Sequence, residues 1–171
     1  MKTRQLTRTA LLIALLVAAQ YVTKAAGQFL TGSCVNLILA VAAAVCGPWW
    51  ALAVALLSPF CAFLLGIGTP IIQLVPAIAL GNMVYVCLMH WLGRKMTFRG
   101  GAAVAVVAAA VAKFLALWGV IVGLLLPLMS LPEPKVAALT ASFSWPQLVT
   151  ALIGGGLSLL IVPALKKALK E

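Results

Sequence analysis

Residues 101–126 read GAAVAVVAAAVAKFLALWGVIVGLLL, an apolar run that carries a single charge, Lys113. A helix crosses the hydrocarbon of a bilayer in about 20 residues, with a range near 17–25. This run meets that length with no acid and no internal proline. The rest of the chain has the same character. Hydrophobic residues make up 65% of 171 and charged residues 8%, with a mean hydropathy of +1.20. A soluble domain carries roughly a quarter of its residues as charges. Too little polar material remains for a water-facing surface, so lipid is the expected solvent for most of the exterior.

Breakers and charges divide the chain into six apolar segments, about 6–26, 33–46, 49–65, 71–92, 101–126 and 145–169. Gly47-Pro48 separates the second from the third, and Gly66-Ile67-Gly68-Thr69-Pro70 separates the third from the fourth. The second segment is short for a crossing, which predicts that it is tilted, partly embedded or shielded by protein. The length supports one integral membrane domain over residues 1–171. The expected fold is all-α, a bundle of six transmembrane helices in the cell membrane.

Positive charge tests that count. Lys2, Arg4 and Arg8 precede segment one; Arg94, Lys95 and Arg99 lie between four and five; Lys166, Lys167 and Lys170 follow six. Basic residues beside membrane segments mark the cytoplasmic side. Placing all three clusters there requires an even number of crossings between them. Six segments satisfy this, with both termini cytoplasmic, whereas fusing segments two and three would not. The first segment loosely fits a signal peptide, with small residues at Ala25 and Ala26. Gln20 and Lys24 make a poor cleavage region, however, and removal would break the even count, so retention is expected.

The net charge of +10 comes from 12 basic residues against two acids, Glu133 and Glu171. The basic residues sit at segment ends without interleaved aromatics, which argues against nucleic acid as a partner and for anionic lipid heads. Cys34, Cys46, Cys61 and Cys87 are scattered, and with a lone His and two acids they predict no metal site and no cofactor. No Gly-x-x-x-x-Gly-Lys-Ser/Thr loop and no Gly-x-Ser-x-Gly elbow occur, so neither ATP hydrolysis nor serine hydrolase chemistry is expected of this chain. His90, beside Trp91, reads as an interfacial residue.

No acid lies within any apolar segment, which disfavours coupling to protons or sodium through intramembrane carboxylates. Lys113, halfway along segment five, is the exception to an uncharged interior. A lysine at that depth costs roughly 2.5–3.5 kcal/mol on insertion scales. Its expected partners are a bound anion, water in a cavity or helix-end carbonyls, or none if it is neutral or snorkels. A ligand role predicts that Lys113→Met weakens binding with stability unchanged or raised. Further hydrogen bonders and aromatics gather in the outer half: Asn36, Gln73, Asn82, Trp118, Trp145 and Gln147. Aromatic walls with a few placed polar groups are the composition of a small-molecule pocket. Individually, each fits an interfacial belt or a helix–helix contact equally well.

Segment one begins Arg4-Gln5-Leu6-Thr7-Arg8-Thr9-Ala10 and continues through Ala14 and Ala18. The spacing puts three small residues on one helix face, where another helix can approach closely. Together with Thr31-Gly32-Ser33-Cys34-Val35-Asn36, Gly47-Pro48-Trp49-Trp50, Leu57-Ser58-Pro59-Phe60 and Ala79-Leu80-Gly81-Asn82, nearly the whole chain resembles the substrate-binding (S) component of energy-coupling factor (ECF) transporters. The resemblance implies high-affinity capture of a vitamin or related micronutrient from outside. It also implies docking on a module of one transmembrane coupling protein and two ATPase subunits. In this sequence the docking face maps to Ala10, Ala14 and Ala18. The pocket is expected at the outer ends of helices four to six, roofed by the loop at about 24–33. A stand-alone secondary carrier and a small structural or assembly membrane protein remain as alternatives.

Overall fold

Glycine and proline set the helix boundaries. Gly27 and Gly47 take positive φ, 90° and 77°, a backbone region that side-chain-bearing residues rarely enter. Pro48 opens the helix after Gly47, where a missing N–H costs nothing. The computed structural model describes residues 2–169; Met1, Lys170 and Glu171, and the side chain of Lys2, lie outside the described residues. Helix α1 is Lys2–Thr23, continued by a 3-10 turn Lys24–Ala26; α2 is Gln28–Val45; α3 is Pro48–Leu64. A 3-10 turn Ile72–Leu74 leads into α4, Val75–Lys95. Helix α5, Gly101–Leu117, widens into a π-helical stretch Trp118–Leu125 and ends in the turn Leu126–Leu128. A short α6, Glu133–Ser142, precedes α7, Trp145–Ala168. No strand occurs among the described residues.

The chain passes six times between two ends. Arg4 Nη2 donates to the Leu169 carbonyl at 3.3 Å, and Arg8 Nη1 to the Val45 carbonyl at 3.4 Å. The start of α1 therefore lies beside the ends of α2 and α7. Arg94 and Lys95 close α4, and Lys166 and Lys167 lie in the last turn of α7, so the basic clusters gather at that same end. The opposite end holds the connections after α1, α3 and α5, together with α6.

Five helical stretches are long and apolar enough to cross a membrane, and Pro48–Leu64, at 17 residues, is the shorter one. This revises the expectation for segment two. Helix α2 starts at Gln28 instead of near 33 and runs 18 residues, because the chain breaks at Gly27. It is also the central helix, packed against α1, α3, α4 and α7, with unbroken burial from Ile38 to Ala43. A helix buried all round carries no amphipathic signature. Other boundaries move as well: α4 extends to Lys95, segment five continues past 126, and Glu133–Ser142, between the fifth and sixth apolar segments, is helical.

Small residues allow the central contacts. A Cβ on Gly154 of α7 would lie 2.5 Å from the Ser33 carbonyl oxygen and 2.6 Å from the Leu37 amide nitrogen of α2. A Cβ on Gly155 would lie 2.6 Å from Val106 of α5 and 2.8 Å from the Tyr85 hydroxyl of α4. Glycine at position 154 brings α7 against the backbone of α2, and glycine at position 155 leaves room for the Val106 and Tyr85 side chains of α5 and α4. One apolar core, around Leu16, Leu39, Val54, Tyr85 and Val86, fills the middle. A second, around Leu74, Leu117, Ile121 and Phe143, lies toward the end opposite the basic clusters.

Candidate functional site

Lys113 is the organising residue. It is 3% exposed, and its Nζ donates to Asn36 Oδ1 at 2.6 Å and to Asn82 Oδ1 at 2.8 Å. The same Nζ lies 5.4 Å from the centre of the Tyr85 ring. Two amide oxygens and a ring face thus take the place of the carboxylate that the membrane segments lack. Each charge-assisted bond contributes about 1.5–3 kcal/mol, comparable to the insertion cost of the lysine. Within the protein, side chains of α2 and α4 hold this ammonium, a pair of partners that the sequence did not single out for it. Asn36 reaches it because α2 begins early and carries that residue two turns into the bundle.

A second layer orients the first. Asn36 Nδ2 donates to the Gly32 carbonyl at 2.9 Å and to Thr150 Oγ1 at 3.3 Å. Thr150 in turn donates to the Gln147 carbonyl at 3.2 Å. The Tyr85 hydroxyl donates to the Ala151 carbonyl at 3.2 Å. The network therefore ties α2, α4, α5 and α7 together, and the close approach at Gly154 and Gly155 is what brings these groups within reach.

Beside the network opens a cavity of about 310 Å³, lined by Asn36, Asn82, Lys113 and Gln147 and extending toward the end opposite the basic clusters. Its apolar walls include Pro59, Val75, Ile78, Leu117 and Phe143. Gln20 of α1, Ser58 of α3 and Thr69 of the α3–α4 connection line the remaining side. The rim is stitched by hydrogen bonds. Lys24 Nζ donates to the Gly66 carbonyl at 3.0 Å, and both Gln28 and Gln147 donate to the Ser142 carbonyl, at 2.5 and 3.1 Å. Lys24 and Gly27, between α1 and α2, form part of this rim, while 28–33, expected as loop, belong to α2.

Of the residues singled out from the sequence, Asn36, Asn82, Lys113 and Gln147 come together here. Gln73, Trp118 and Trp145 do not. Five residues at about 100° each turn Trp118 roughly 140° from Lys113, and its ring is 46% exposed. Leu117, four residues from Lys113, takes the inward position instead. The 3-10 turn Ile72–Leu74 buries Leu74 and leaves Gln73 exposed. Trp145 opens α7 at the rim, exposed, with its ring 5.5 Å from that of Phe29. Gln20, Ser58 and Thr69 escaped the sequence reading: each is a common polar residue on its own segment, and only the packing of α1 against α3 unites them.

A larger cavity, about 530 Å³, lies at the basic end beside His90, Arg94, Ser158 and Lys166. Its inner polar groups are committed to backbone: a His90 ring nitrogen lies 2.7 Å from the Ala43 carbonyl, and Ser158 donates to the Gly155 carbonyl at 2.6 Å. The Lys113 cavity is therefore the stronger candidate. Ala10, Ala14 and Ala18 are exposed on α1, and Ala14 and Ala18 lie along a groove between α1 and α3 that also touches Cys61 and Leu65. No group of three or more metal-ligating side chains occurs among the described residues.

An all-helical, multi-pass membrane protein with a polar cavity at one end is the class these features define. Residues 4–166 match the family model described as the substrate-specific component of ECF transporters, and the chain belongs to that family. It is an integral membrane protein of an ECF transport system, a substrate-binding component and not an enzyme. No curated protein and no solved structure gives a significant match.

Proposed function

We propose that the chain captures a small micronutrient, a vitamin or vitamin precursor, from outside the cell and delivers it through a separate ATP-driven module. The observation that carries this reading is the Lys113–Asn36–Asn82 centre on the wall of a cavity whose rim lies opposite the basic clusters. Both termini and those clusters face the cytoplasm in this reading, so the cavity faces outward. Lys113, Asn82 and Gln147 meet the substrate, while Asn36 holds Lys113 in place. The partners are the lipid bilayer, one transmembrane coupling protein and two ATPase subunits. The coupling protein docks against the small-residue face of α1 at Ala10, Ala14 and Ala18. The whole chain acts as a single membrane domain.

The test is to purify the chain from membranes in detergent, denature it and identify what is released by mass spectrometry. A stoichiometric small molecule that rebinds, and that Lys113→Met releases, is the expected result. Recovery of the folded protein with no bound compound, and no stabilisation by any micronutrient in a thermal-shift panel, would refute capture.

A further inference from the structure

The cavity has two chemically different walls. On one side the Lys113 ammonium stands with no carboxylate beside it, since Glu133, the acid among the described residues, is exposed on α6. Asn82 gives its Oδ1 to Lys113 and makes no hydrogen bond through Nδ2 among the described residues. This wall therefore offers positive charge and N–H donors, and calls for an acceptor or an anion.

The wall supplied by α1, α3 and the α3–α4 connection carries three buried polar atoms with no protein partner: Gln20 Oε1, Ser58 Oγ and Thr69 Oγ1. Ser58 is 1% exposed. Serine and threonine hydroxyls in helical segments commonly bond back to a carbonyl one turn earlier, as Ser33 does to Phe29; Ser58 does not. An unsatisfied buried polar atom is destabilising, and three of them lining one cavity mark a surface that a ligand completes. Gln20 Oε1 only accepts, so that ligand must bring a donor; the two hydroxyls pair with a hydroxyl or an N–H in either sense. Apolar Pro59, Val75, Ile78 and Leu117 lie in the same lining. The volume, about 310 Å³, falls at the low end of the roughly 300–1,000 Å³ of ligand pockets.

The geometry points to a substrate that is a small anionic or carbonyl-bearing molecule with hydroxyl or N–H donors on its far side: its acceptor end meets Lys113 and Asn82, and its donor end meets Gln20, Ser58 and Thr69. This specificity rests on the capture reading and divides the substrate between two walls. Cations are rejected by Lys113, and molecules without donors leave Gln20 Oε1 unpaired.

Three ring-sized probes separate the contributions. 3-Hydroxybenzoate carries both features, 3-methoxybenzoate caps the donor with a methyl group, and 3-hydroxybenzylammonium reverses the charge. Affinities are measured on the detergent-purified full chain by saturation-transfer NMR at millimolar probe. 3-Hydroxybenzoate is expected to bind about five- to tenfold more tightly than 3-methoxybenzoate, the worth of one hydrogen bond, and the ammonium probe not to bind. Ser58→Ala with Thr69→Val, or Gln20→Met alone, shrinks the first ratio toward one. Equal binding of the methoxy compound, or binding of the ammonium probe, overturns the proposal and leaves capture standing. If none of the three binds but the purified protein releases a compound, that compound decides: both an acceptor and a donor support the two-wall assignment, and the lack of either overturns it. A protein that holds no small molecule of any kind overturns capture itself.

Discussion

Lys113 is held by dipoles, and this changes what its removal does. With Asn36 Oδ1 at 2.6 Å and Asn82 Oδ1 at 2.8 Å, Lys113→Met takes a charged donor away from two amide oxygens inside the bundle. Viewed in the sequence alone, the substitution removes a costly buried charge and so leaves stability unchanged or raised. With both oxygens orphaned, the expected outcome is a loss of about 1–3 kcal/mol, measured as a lower midpoint of thermal unfolding in detergent. Substrate affinity falls in the same variant by roughly tenfold to a hundredfold, the worth of a charge-assisted hydrogen bond. Adding Asn82→Leu to Lys113→Met removes donor and acceptor together, and part of the stability returns. If the double variant is as unstable as the sum of the singles, the Lys113–Asn82 bond carries no coupling.

At the scale of elements, the contact between α2 and α7 positions the site, and its glycines are unequal. Gly154→Val drives a side chain into the backbone of α2 at Ser33 and Leu37. Overpacking of that kind costs about 1–3 kcal/mol or more, and here it also displaces Asn36. Gly156 has nothing within 4 Å of an added Cβ, so Gly156→Ala is expected to be neutral or to stabilise α7 by up to about 1 kcal/mol. Unfolding midpoints of the two variants check the contrast, which vanishes if the helices pack differently. Helix α1 makes the opposite use of small residues: Ala10, Ala14 and Ala18 are exposed, a face smooth enough for another helix. Ala14→Trp is expected to abolish uptake by the assembled transporter while substrate affinity of the isolated chain stays near that of the wild type. Undiminished uptake would move the docking surface off α1.

For the molecule as a whole, the expectation concerns energy. The sequence holds neither a phosphate-binding loop nor an acid within an apolar segment, which disfavours substrate movement driven by ATP or an ion gradient through this chain alone. Vesicles containing this chain alone, supplied with proton and sodium gradients, are expected to bind substrate without concentrating it. Accumulation against a gradient would mark a self-sufficient carrier and refute dependence on a coupling module.

Membrane residence and helix number were legible because they rest on additive quantities, apolar length and the placement of Arg4, Arg8, Arg94 and Lys166 near segment ends, which any packing would preserve. Lys113 was legible for the same reason: a charge amid apolar residues is conspicuous without coordinates. Helix α2 was not, since a central helix has no polar face to announce its limits, and it begins just after Gly27, well before the expected start near 33. The site divides along the same line. Asn36 and Asn82 were visible as polar residues, but their union with Lys113 depends on α2, α4 and α5 meeting at one depth, with α7 closing against α2 at Gly154. The wall of Gln20, Ser58 and Thr69 was decided by tertiary structure alone. Residues far apart in sequence share a cavity only because α1 and α3 lie side by side, and one-dimensional spacing carries no record of which helices become neighbours.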